Sequence, residues 1–180
     1  MSADLASPWR EFLEELDALL DEPASLHCIG GFAVIVGYGL PRGTNDLDYR
    51  AIIPVNLMNK LQDLAGEGSA LARKHGLRVQ FTGVDCIPES YEDRLVELFP
   101  KRFVKLRIFI PDPYDLVLSK LTRNVRRDRE DVEFLAKSRN LDAAILKERY
   151  VKEMKPLLIG AEDRHDATLA YWIDDYFSKR

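Results

Sequence analysis

Cysteine is scarce in this chain of 180 residues. Cys28 and Cys86 are its only two, too few for a disulfide framework and without the spacing of a metal site. Both lie in apolar runs, which predicts buried, reduced thiols. Long hydrophobic runs are missing as well. The longest, Ile29 to Leu40, covers about twelve residues and is broken by glycines, short of the roughly 20 that a membrane-spanning helix needs. The start of the chain carries Asp4 and no basic stretch, unlike a signal peptide, so the expectation is a cytoplasmic protein with no membrane partner. His27, His75 and His165 are the only histidines, and none stands at a metal-ligating spacing, so His165-Asp166 alone does not make a phosphohydrolase. Nor is there an excess of positive charge. Lys and Arg number 26 against 30 Asp and Glu, a net charge of −4, which argues against a general nucleic-acid coat.

What is present has the composition of a globular domain, 46% hydrophobic and 31% charged, and is long enough to bury a core without staples. No repeat, low-complexity tract or linker divides it. One domain over residues 1–180 is expected, with a core at about 24–137 and a helical part at about 138–180. Ser7-Pro8 opens a helix whose apolar stripe runs from Trp9 to Leu20. A strand at Leu26–Ile29, a short buried helix at Phe32–Tyr38 and a strand at Asp46–Ile53 follow. The pattern then predicts a helix over Val55–His75 weakened by Gly66 and Gly68, a strand over Leu77–Ile87 and a helical turn or two at Tyr91–Leu98. Further on it predicts a strand over Phe103–Ile110, one long helix over Tyr114–Lys137 and two closing helices. The fold class is α/β of the α+β type: a small mixed, mostly antiparallel sheet with helices packed on it and a helical C-terminal part.

The chemistry concentrates in Gly30-Gly31 and in Arg42-Gly43-Thr44-Asn45-Asp46-Leu47-Asp48. Asp46 and Asp48 stand two apart on a strand and share a face. Such a pair is tolerable in water, or useful around divalent cations. Gly30-Gly31 sits where a strand becomes a helix, a place where phosphate oxygens can approach backbone N–H groups. Each feature alone has a plainer explanation, two solvated aspartates and a tight turn. Their occurrence on consecutive strands is what joins them. No Gly-Lys-Ser/Thr follows, so this is not a P-loop, and Gly37 and Gly39 come too late for a dinucleotide fingerprint.

Gly-Gly, a short apolar helix, Gly-Leu-Pro-Arg-Gly-Thr and then Asp-Leu-Asp resemble the signature of the nucleotidyltransferase superfamily, the polymerase-beta-like fold. The likeness is greatest to its small prokaryotic branch, which includes the toxins of abortive-infection toxin–antitoxin pairs. The resemblance implies magnesium-dependent transfer of a nucleotidyl group from an NTP such as ATP, by a two-metal mechanism, to an RNA, protein or small-molecule acceptor, with an antitoxin as protein partner. An inactive member kept as a binding module is the alternative. Carried over by position, Gly30 and Gly31 form the phosphate turn, Asp46 and Asp48 bind two magnesium ions, and Arg42 and Thr44 match residues found before the D-x-D. Many members have Gly-Ser where this chain has Gly-Gly, so a backbone N–H must replace the serine hydroxyl.

The resemblance also implies a third carboxylate on a neighbouring strand. Asp85, a polar residue in the apolar Val84-Asp85-Cys86-Ile87, is the candidate ligand or base, with Glu89 and Asp93 behind it. On the long helix Lys120, Asn124, Arg127 and Asp131 form one stripe, with Lys120 and Asp131 about 16 Å apart along the axis. The resemblance turns Lys120 toward the nucleotide phosphates. The basic runs at Lys101–Arg107 and Arg123–Arg129 read as solvated faces or as a surface for RNA.

Overall fold

The computed structural model describes residues 5–83, 86–160 and 162–177. The chain forms two compact units, one of residues up to Gly83 with Leu95–Ile110, the other of Val84–Arg94 with Pro111–Arg180. The first unit holds helix α1 (Trp9–Leu19), strand β1 (Ala24–Cys28) and a helical turn α2 (Gly30–Phe32) that continues as a π-helical stretch over Ala33–Gly37. After β2 (Asp46–Ile53) come α3 (Met58–Ala65), α4 (Ala70–His75) and the short strands β3 (Arg78–Phe81), β4 (Val96–Leu98) and β5 (Leu106–Ile110). The sheet has five strands in the order β3-β2-β1-β5-β4. It is mixed, as the α+β expectation requires: β1 pairs antiparallel with β2 and parallel with β5, β2 pairs parallel with β3, and β4 antiparallel with β5.

One face of the sheet is the core. Leu26 and Cys28 on β1, Leu47 and Tyr49 on β2, Val79 on β3 and Ile108 on β5 are all buried there. Phe12, Leu13 and Leu16 of α1 and Leu61 of α3 are fully buried with them, the Gln62 amide donates to the Tyr49 hydroxyl at 2.8 Å, and Trp9 meets the Phe32 ring edge-on at 4.9 Å. The helix begun at Gly30 lies so close to this face that a Cβ on Gly37 would stand 2.4 Å from Ile110 Cδ1. The register of β1 against β2 shifts between His27, opposite Ala51, and Cys28, opposite Tyr49. The residue skipped is Arg50, so β2 carries a β-bulge there. The burial pattern records it: Leu47 and Tyr49 are buried, and the next buried position is Ile52 rather than Ala51.

The second unit is helical: α5 (Pro113–Ser119), α6 (Arg126–Ser138), α7 (Ala143–Arg149) running into a π-helical turn, and α8 (Glu162–Trp172) running into another. Asp112 caps α5 by accepting the Asp115 N–H at 2.9 Å, with Pro113 in the first turn. Arg94 grips the fully buried Asp115 with two hydrogen bonds, 2.8 and 3.0 Å, and reaches Glu153 at 2.7 Å. Arg149 closes the knot onto Asp112 and Asp115 at 2.7 and 2.9 Å.

Several expectations change. The long helix of residues 114–137 is two helices, because the chain turns at Asn124, whose φ of 47° is left-handed. The helix of residues 55–75 is also broken: α3 ends at Gly66, and Ser69 restarts the chain as α4 by accepting the Ala72 N–H at 3.0 Å. Val96–Leu98, expected as helical, is an edge strand, and of the strand expected over residues 77–87 the described ladder holds Arg78–Phe81. Cys28 is fully buried, but Cys86 is only half-buried. Among the described residues no helix is long and apolar enough to cross a membrane.

Asp17 ties α1 to the sheet. Its carboxylate accepts the N–H groups of Val104, Lys105 and Leu106 at 3.0, 2.7 and 2.7 Å. Burial works to raise its pKa, and the three N–H groups outweigh burial and hold it below the usual range. The stabilisation is therefore full above the unfolded aspartate pKa, about 4, and fades as pH falls through the depressed folded value. Asp17→Ala is expected to cost about 3 kcal/mol at neutral pH. In denaturant unfolding across pH, the gap to the wild type should close on the acid side, and a gap independent of pH would refute this account.

Candidate functional site

The site begins with the turn from β1 into α2. Ile29 is still extended, and its N–H donates to the Asp48 carbonyl at 2.9 Å. Gly30 then adopts φ +64°, and a Cβ there would lie 2.4 Å from Asp48 Oδ2. Both its left-handed backbone and the space over its Cα require glycine. Asp48 thus lays its carboxylate directly against the glycine turn. Gly31 is under neither constraint: a Cβ would meet Thr44 Oγ1 at 3.6 Å, an ordinary contact. The Thr44 hydroxyl donates to the Asp46 carbonyl at 3.2 Å and accepts the Asp46 N–H at 3.4 Å, fixing the end of the loop where β2 starts.

Beyond the bulge, Asp46 and Asp48 point away from the core face that Leu47 and Tyr49 fill, and both are half-buried. The structure therefore brings Gly30, Gly31, Thr44, Asp46 and Asp48 together. Sequence reasoning missed two further side chains here. Arg78 stands opposite Asp46 and Gln80 opposite Asp48 in the parallel β2–β3 ladder. Arg78 Nε lies 2.9 Å from Asp46 Oδ1, with both side chains 38% exposed. Alternation of Leu77, Val79 and Phe81 with Arg78 and Gln80 was the available signal, but it carries no register. The Cys28 thiol, on the core side, is pushed well up by burial and then by the charge of Asp48. Asp85 lies outside the described residues. Among those described, no three His, Cys, Asp or Glu side chains form a group that could hold a metal.

Arg42 and Thr44 also line a cavity of about 480 Å³, together with Asn45, Trp9, Ile35 and Phe99. Its size and its apolar wall with a few polar groups are those of small-molecule sites.

Lys120 belongs to the second unit. It ends α5, and the turn at Asn124 brings α6 back so that its ammonium donates to Asp131 Oδ2 at 2.7 Å, with Asp128 Oδ1 at 3.9 Å. The 16 Å separation expected on one continuous helix is thus replaced by direct contact. The Lys120 side chain is 4% exposed. Asp128 is held by two hydrogen bonds from Arg123, 2.8 and 2.6 Å, and by the Val125 N–H at 3.0 Å. Burial works to raise its pKa, but Arg123, Lys120 and the Val125 N–H outweigh burial and keep it low.

A family model described as a nucleotidyltransferase of unknown function (DUF6036) matches residues 9–179. No curated protein and no solved structure matches the chain.

The two glycines make a contrast that thermal melting can measure. Gly30→Ala must strain the backbone and displace Asp48, at an expected cost of about 1–3 kcal/mol. Gly31→Ala should stay within about 1 kcal/mol of the wild type. Equal melting temperatures for the two variants would show that Asp48 does not lie against Gly30.

Proposed function

Because the chain belongs to this nucleotidyltransferase family, we propose that it transfers a nucleotidyl group from an NTP to an acceptor hydroxyl or phosphate on RNA, a protein or a small molecule. One observation carries the proposal: the Asp48 carboxylate packs on Gly30, so the glycine turn and the Asp46–Asp48 pair are one site. In the transfer, the acceptor oxygen bonds to the α-phosphorus. The bond from that phosphorus to the oxygen bridging the β-phosphate breaks. Pyrophosphate leaves, and any proton on the acceptor passes to a carboxylate or to water.

The residues fit magnesium. Asp46 and Asp48 offer hard carboxylate oxygens on one half-open face, and Mg²⁺ is typically held by one or two carboxylates plus substrate phosphates. When bound, it neutralises charge on the triphosphate and the leaving group. The two-metal form of this chemistry calls for a third carboxylate, the role proposed for Asp85. The chain itself supplies a glycine turn that phosphate oxygens can approach closely, and Thr44 and Arg42 at the loop before β2. Lys120 is proposed as a phosphate-binding residue on the resemblance of Lys120-Leu121 and Arg127-Asp128…Asp131. The same resemblance supports a toxin–antitoxin setting with an antitoxin as partner.

Incubating the protein with cell extract and NTPs labelled at the α-phosphorus tests the proposal, since label retained on a macromolecule reports base and acceptor together. Asp48→Asn is expected to lower magnesium-dependent labelling by more than about 100-fold, with stability unchanged to about 1 kcal/mol. A folded Asp48→Asn protein that still labels at the wild-type rate would end this assignment.

A further inference from the structure

The cavity of about 480 Å³ beside the glycine turn differs in chemistry from the aspartate pair. Its wall is mainly hydrocarbon, with Trp9, Ile35, Val36, Leu77 and Phe99 among the lining residues. Among the described lining residues Arg42 is the single charged one. Thr44 spends its hydroxyl on the Asp46 carbonyl and N–H, which leaves Arg42, Asn45 and Ser7 as the polar side chains a ligand can meet. Thr44 also joins the cavity to the site. It stands two residues before Asp46, at most about 7 Å of chain, and a Cβ on Gly31 would lie 3.6 Å from its hydroxyl oxygen. Phe99 adds an independent observation. Its φ is 53°, a left-handed backbone unfavourable for a bulky residue. The residue is only half-buried, so the fold gains little apolar burial in return. Strain of this kind gathers at ligand clamps, and Phe99 lines the cavity.

Resting on the nucleotidyl-transfer proposal, we infer that this cavity binds the acceptor, a small molecule with a largely apolar body, one anionic group for Arg42 and a hydroxyl that reaches the α-phosphorus. Hydrocarbon walls favour such a body by removing its surface from water. A nucleobase fits less well, because several donors and acceptors on its edge would be buried without partners. A nucleic-acid strand fits less well still, since one arginine does not balance a run of phosphates. A guanidinium pairs with a carboxylate or phosphate through two parallel hydrogen bonds, which orients the body of the acceptor. Its hydroxyl oxygen then bonds to the α-phosphorus. The bond from that phosphorus to the bridging oxygen breaks, pyrophosphate leaves, and the hydroxyl proton passes to a carboxylate or to water.

The test on the full chain has a binding arm and a transfer arm. The probe for the cavity is anilinonaphthalene sulfonate, a compact apolar anion that fluoresces when taken out of water. The wild type should bind it at a single site. Phenylnaphthylamine, the same body without the sulfonate, should bind about tenfold more weakly. Val36→Trp should fill the cavity and weaken the sulfonate by about tenfold or more, and Ala6→Trp, at an exposed lining position, does the same should Val36→Trp fail to fold. Phe99→Asn keeps a residue suited to the left-handed backbone and should weaken the sulfonate without lowering the melting temperature. Calorimetry should find magnesium-dependent binding of the α,β-methylene analogues of ATP, GTP, CTP and UTP unchanged in Val36→Trp. In cell extract with NTPs labelled at the α-phosphorus, the wild type should label a product of low mass distinct from the nucleoside mono- and diphosphates, and Val36→Trp should lose it. Label confined to RNA or protein would overturn the inference and leave nucleotidyl transfer standing. Weakened analogue binding in Val36→Trp would assign the cavity to the nucleobase and overturn it as well, as would a wild type that binds no sulfonate or binds both probes equally. A wild type that labels nothing and binds no analogue would remove the transfer proposal itself, and the acceptor role with it.

Discussion

The β-bulge at Arg50 is the constraint on which the site depends. A strand alternates its side chains between two faces, so a regular β2 would put Ile52, Asp48 and Asp46 on one side. Ile52 is buried opposite Leu26, and the same register would drive both carboxylates into the core. One extra residue resolves the conflict. Below the bulge Ile52 faces inward; above it Tyr49 and Leu47 do, and the aspartates turn to the other face. The carboxylates are thus re-aimed by backbone geometry, a use of bulges common beside active sites. Asp48 can then lie on Gly30 because β1 ends at the residue paired with Tyr49, and the glycine turn follows at once.

The carboxylates of the chain are handled in two distinct ways. Asp17, Asp115 and Asp128 are tied by several N–H groups each, from backbone or from arginine forks. Such arrangements fix helices onto a sheet or onto one another, and breaking one leaves a buried charge exposed to full desolvation cost. The Asp46–Arg78 pair is different. It is half-exposed on both sides, and pairs of that kind contribute about 0–1 kcal/mol. Breaking it therefore costs the fold little. The contrast separates carboxylates that hold the structure from one on which the fold does not depend.

Much of this was legible in the sequence. The span Asp46–Ile53 is the observed strand, and the glycine turn and aspartate pair are neighbours in space. Local patterns suffice for these because each depends on a few adjacent residues. Even the bulge left a trace, in apolar positions at 47, 49 and then 52. What the pattern could not give is register between strands distant in sequence. Arg78 and Gln80 were ordinary polar positions of a strand until the ladder set them beside Asp46 and Asp48.

Lys120 shows the same limit in a helix. Apolar residues from Tyr114 to Leu135 keep helical spacing across the whole stretch, so periodicity favours one helix and a distant Asp131. A buried lysine alters the balance. Lys120 is taken from water on α5, and an ammonium so placed needs an anion in contact. The turn through Asn124 at positive φ costs little for asparagine, and it converts a 3.6-residue stripe into two helices that share one ion cluster. Asp128 consolidates the turn by binding both the Val125 N–H and Arg123. Periodicity reports which side of a helix is apolar. It does not report the electrostatic demand of one buried cation, and here that demand is met by Asp131 across the break between α5 and α6.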